Sequence, residues 1–125
     1  MDSISEVAKQ LESEGYRVLV QSENVMLIPH PSLPIRLRVE FKEPLAYVTV
    51  EFEKEELREI LEDLHEAGED IESVVEEALG YLNAAALKLR KWLEEKGYAM
   101  MLKLREGSIE IYELLEELEE ELAEE

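Results

Sequence analysis

Two histidines are the only side chains in this sequence whose ordinary pKa lies near neutrality. His30 stands inside Pro29-His30-Pro31-Ser32-Leu33-Pro34. His65 follows Glu62 by three positions, which puts an imidazole and a carboxylate on one helix face. Di-iron carboxylate bundles use such a pair twice, with further carboxylates. Here it occurs once, in a chain where 29 of the 32 acidic residues are Glu, so the offset is expected by chance. With no Cys, disulfide scaffolds, thiolate zinc sites, iron–sulfur clusters and thiol nucleophiles are excluded. No Gly-x-Ser-x-Gly elbow presents a serine nucleophile. The five glycines are scattered and form no phosphate-cradling loop. Trp92 reads as a core or interface residue rather than a stacking platform. The residues therefore predict no catalytic, metal or cofactor site.

The charge balance narrows the partners. Against 32 acidic residues stand 13 basic ones, for a net charge of −19. A protein that binds nucleic acid by neutralising phosphates needs a basic surface, and docking on anionic membranes does too. Direct nucleic-acid and membrane binding are therefore not expected. The apolar runs are short, so no membrane span is expected, and Met1-Asp2-Ser3-Ile4-Ser5-Glu6 does not read as a signal peptide. Abundant Glu, few amides and no Cys suggest a thermophile's cytoplasmic protein. The charge is also uneven. Residues 54–80 and 106–125 are strongly acidic, whereas residues 88–105 carry six bases against two acids.

These residues are placed by elements that the spacing reveals. Ser3 or Ser5, with Glu6, can cap a first helix carrying Ile4, Val7, Ala8 and Leu11. Gly15 ends it. Tyr16, Val18 and Val20 alternate as a strand, Ser22-Glu23-Asn24 turns, and Val25 to Ile28 is a second strand. The proline segment is a loop. Ile35, Leu37, Val39 and Phe41 face inward on a third strand, with Arg36 and Arg38 opposite. Those two arginines suit cross-strand pairing with Glu51, or an anion or partner contact. Lys42-Glu43-Pro44 turns the chain into a fourth strand with Ala46, Val48, Val50 and Phe52 inward. A helix follows over 53–66. Asp70 caps a long one over 71–96, ended by Gly97. Tyr98 to Leu104 reads as a strand, Glu106-Gly107 as a tight turn, Ser108 to Tyr112 as the returning strand, and 113–125 as a last helix. The order is α-β-β-β-β-α-α-β-β-α. It predicts one α+β domain over 1–125 with a mainly antiparallel sheet built from hairpins. Leu11 to Tyr16 echoes Leu93 to Tyr98, either as two ordinary helix–glycine–strand joints or as a duplicated unit.

The long helix carries the strongest pattern. Ile71, Val75, Ala78, Leu82, Ala85, Leu89 and Trp92 step by four and three over three heptads. Val74, Leu79, Tyr81, Ala86 and Leu93 add an apolar flank. Such a helix is either wrapped by its own chain or shares a seam with a second copy. Gly80, mid-helix, costs about 1 kcal/mol against Ala, which close packing there would justify. Lys88, Arg90 and Lys91 near its C-terminus suit the helix dipole, or form a patch for an acidic or phosphorylated partner.

In element order the chain resembles small acidic proteins with the type III secretion chaperone-like fold, including the bacterial YbjN family. The closest stretch is Ile4 to Ile28 with its Gly15-Tyr16 joint. The strand at Ala46 to Phe52 and the second central helix depart from that pattern. The resemblance implies a homodimer that binds other polypeptides without catalysis, and it assigns no functional residue. The leading expectation is a non-enzymatic protein-interaction module, homodimeric through the long helix. The alternatives are an acidic regulator or nucleic-acid mimic that binds a basic partner, and a small-molecule or metal-binding enzyme.

Overall fold

Alternation between apolar and charged residues is strictest along β3 (Ile35–Lys42), where every second side chain is buried. Its neighbours repeat the pattern in register. In a computed structural model that describes residues 3–124, β1 (Leu19–Ser22), β2 (Val25–Pro29), β3 and β4 (Leu45–Phe52) form an antiparallel meander. The pairs Met26↔Val39, Ile28↔Leu37 and Val39↔Val48 put five of these positions on one face, and all are buried. Leu27, Arg38 and Thr49 lie side by side on the other face.

Four helices cover the buried face: α1 (Ser3–Ser13), α2 (Lys54–Glu66), α3 (Ile71–Glu95) and α4 (Leu104–Ala123). The capping role expected of Ser3 falls on a side chain outside the described residues. Asp70 does cap α3, its carboxylate accepting the Glu72 amide at 3.2 Å and the Ser73 hydroxyl at 3.0 Å. Gly15 and Gly97 end α1 and α3 identically. In each, the amide three residues past the helix donates back to a last-turn carbonyl, Tyr16 to Leu11 at 3.0 Å and Tyr98 to Leu93 at 2.9 Å. Both glycines have positive φ, the conformation this closure requires. The repeated hexapeptide is thus a repeated helix stop. Only the first copy leads into a hairpin.

The expected sheet needs two corrections. Glu106-Gly107 is not a turn, and Ser108 to Tyr112 is not a strand. Both lie in α4. Leu104, Gly107, Ile111, Leu114, Leu118 and Leu122 follow a helical period that overrides the short alternation at Ile109 and Ile111. Without that hairpin partner, β5 (Ala99–Lys103) pairs parallel to β4, with α2 and α3 as the crossover. The sheet is therefore mixed, with β1 and β5 at its edges.

Gly107 is kept for a close approach. A Cβ built there would lie 2.7 Å from the Val50 carbonyl oxygen and 2.8 Å from Val50 Cβ. This glycine lets α4 sit directly on β4. Replacing an interior helix glycine by Ala ordinarily stabilises by about 1 kcal/mol. Gly107→Ala is expected instead to destabilise by about 1–3 kcal/mol in urea unfolding, because backbone must move to admit the methyl.

Candidate functional site

The heptad seam of α3 is consumed inside one copy of the chain. Ile71, Val75, Ala78, Leu82, Ala85 and Leu89 are all buried, and Trp92 is half-buried against the core. Leu79, Ala86 and Leu93 on the flank are buried as well. The buried ones face the chain's own sheet and helices and present no surface to a partner, while Trp92 keeps part of its surface open. Gly80 points the other way. It is exposed, and nothing lies within 4 Å of a Cβ placed there. The close packing expected at Gly80 is not made within one copy.

The basic residues do not form one patch. Arg36 and Arg38 stand on the helix-free face of the sheet, amid carboxylates. Arg36 donates from Nε and Nη2 to Glu51 Oε1 at 3.0 and 2.8 Å. Arg38 lies 3.5 Å from Glu40 and 3.7 Å from Glu51. Lys88 is on α3, bonded to Glu14 at 2.9 Å, and its ammonium lies 5.7 Å from the centre of the Tyr16 ring. That bond lowers the Glu14 pKa and raises that of Lys88. Arg90 and Lys91 are exposed on α3 and form no ion pair among the described residues.

The histidines are equally separated. His65 lines an open groove of about 430 Å³ with Glu69, Asp70, Glu72, Glu119 and Leu122. Among the described residues, no group of three or more His, Asp or Glu is arranged to hold a metal ion. His30 organises the proline loop. Its Nδ1 accepts the amides of Ser32 and Leu33, each at 3.0 Å, and its own amide donates to the Ile35 carbonyl at 2.9 Å. Its ring meets Tyr81 edge-on at 5.1 Å, and Tyr81 in turn packs on Tyr16 at 5.4 Å. The composition of the loop disclosed a break in the sheet but not this anchoring imidazole.

A different region holds what the residue pattern did not single out. β5 pairs with β4 on one side and, among the described residues, with no strand on the other. Met101 and Leu102 are exposed there, at 42% and 37%. Ile109 on α4 is exposed beside Leu102 at 44%, and with Leu102, Lys103, Arg105 and Glu106 it lines a shallow apolar groove. The signal was present in Met100-Met101-Leu102, where alternation fails and both faces of a strand are apolar. The opposite edge differs. β1 is four residues long, and its register shifts between Val20 and Ser22. Short, irregular edge strands discourage further pairing.

No family model matches the chain, and neither does any curated protein or solved structure. The geometry is therefore the only guide to function.

The His30 contacts set a pH dependence. Nδ1 can accept two amides only while it carries no proton, and burial lowers the imidazole pKa below its ordinary value, with Glu77 acting in the opposite sense. The unfolded chain therefore binds this proton more readily than the folded one. The stability it contributes is complete above a pH of about 6.5 and is lost as pH falls below that. In His30→Asn, Oδ1 takes the place of Nδ1 and does not titrate. Thermal unfolding from neutral to mildly acidic pH should show a decline in wild type that this variant lacks, against a shared background from the carboxylates.

Proposed function

We propose that the chain is a polypeptide-binding module that acts by binding rather than catalysis. It would take an extended segment of a partner protein as a sixth strand along β5. The observation that carries this reading is the free edge of β5, with exposed Leu102 beside Ile109 and exposed Met101 on its other face. An added strand would satisfy the outward backbone groups of β5 and seat alternate side chains in the adjoining groove, the usual division between affinity and specificity in such pairing. Charge narrows the segment. Lys103 and Arg105 flank the groove, the first with its ammonium 5.5 Å from the centre of the Tyr47 ring. They favour a guest with acidic residues between apolar ones. The acidity elsewhere on the chain disfavours such a guest anywhere else.

Selection from a random peptide display library tests this. Segments with alternating apolar residues and interspersed acids should be enriched. Their binding should fall at least tenfold in a Leu102→Lys/Ile109→Glu double variant that keeps its circular dichroism and melting temperature. Failure to enrich any such segment, or equal binding by the variant, would refute the reading.

A further inference from the structure

We infer that the outer face of α3 is a self-association surface. On it, two copies of the chain pack their long helices antiparallel about a twofold axis between Asn83 and Ala84. This inference stands apart from the β5 edge. It rests on a helix face that one copy leaves uncovered and whose two ends are complementary.

The uncovered face runs through Gly80, Ala84, Leu87 and Lys91, all exposed. Leu87 is the most exposed of the exposed large apolar residues, at 63%. It projects from the side of the helix opposite the buried seam, where its own chain offers no cover. Gly80 lies on the same face, two turns toward the N-terminus, with open space where a side chain would be. A large exposed side chain and an unfilled position thus share one face of one helix.

An antiparallel pairing in which facing positions sum to 167 brings them together twice. Leu87 of each copy falls on Gly80 of the other, and Asn83 faces Ala84. The same register sets Glu76 against Lys91, and neither forms an ion pair within the described residues of one copy. Glu72, Glu76 and Glu77 lie in the N-terminal half of α3, and Lys88, Arg90 and Lys91 in its C-terminal half, ahead of the terminal Glu94 and Glu95. A parallel pairing would set like charges side by side. The charge order therefore selects the antiparallel one, and a second copy is the partner that carries the matching order. The high net charge opposes association at long range. At physiological ionic strength that repulsion is screened beyond about 8 Å, while the contact pairs are screened less.

Sedimentation equilibrium over a wide concentration range, at physiological salt, measures this directly. The mass should rise from 14.5 kDa to that of two copies. Leu87→Glu should hold the chain at the single-copy mass. Gly80→Ala should raise the melting temperature of the single copy while weakening association about tenfold, since its methyl occupies the space for Leu87. A glycine with only a local role would leave association unchanged. Lys91→Glu should weaken the dimer, and adding Glu76→Lys should restore it. Because the chain has no Cys, orientation can be read by oxidation. Glu76→Cys mixed with Lys91→Cys should cross-link, whereas neither should cross-link to itself, since like positions lie about 22 Å apart along the pair. A single-copy mass at the highest attainable concentration overturns the inference. So does a dimer indifferent to Leu87→Glu and Gly80→Ala, or one that cross-links through Glu76→Cys alone.

Discussion

Burial of α3 against one face of the sheet is the interaction on which the rest depends. The helix is 25 residues long and offers nine buried side chains along its seam and flank. Burying apolar surface contributes roughly 25 cal/mol for each Å² removed from water, and these nine side chains form a large share of the core. Its demand for cover draws α1 to one side and α2 and α4 to the other, all on the face where β2, β3 and β4 show their apolar side chains. The outcome is two layers, one of strands and one of helices. The second face of the sheet has no helical cover and is held instead by cross-strand charge pairs around Arg36, Arg38 and Glu51.

Much of this was legible in the residues, and the failures have physical causes. The period of two in β3 and β4 and the period of 3.6 in α3 each extend over enough residues to exclude the alternative. The stops at Gly15, Gly68 and Gly97 were legible because only a positive φ closes those helix ends so economically. Gly107 misled for the converse reason. Its value lies in lacking a Cβ against Val50, a contact between residues far apart in the sequence, and no local pattern records it. Misreading it made a hairpin of β5 and hid the sheet's parallel edge. The seam of α3 showed that the helix needed cover, but not whether its own chain or a second copy supplied it.

The candidate sites follow the same division. Arg36 and Arg38 were seen as a pair and are indeed held by Glu51, with Glu53 and Glu40 nearby. Lys88, read as part of the same kind of patch, belongs to a separate cluster with Glu14 and Tyr16. Charge counted along the chain cannot report which strand or helix brings the opposite sign near. The acidic last helix illustrates this, since Arg58 reaches Glu117 and Glu121 from α2 and Lys54 also lies near Glu117. Part of that apparent excess is neutralised at an internal contact.

The parallel strand has a bearing on the order in which the molecule is built. The meander from β1 to β4 closes through short connections, so its contacts can form early and locally. β5 cannot pair with β4 until the whole of α2 and α3 has folded back across the sheet. Contacts that bridge long stretches of chain form slowly because the loop they close is entropically costly. The last strand to arrive is also exposed along most of its length and has a neighbour on one side only, which marks it, like β1, as a part of the sheet that opens readily. Hydrogen exchange in the native protein would therefore divide the sheet unevenly, with slow amides through β2 and β3 and faster ones from Ala99 to Lys103.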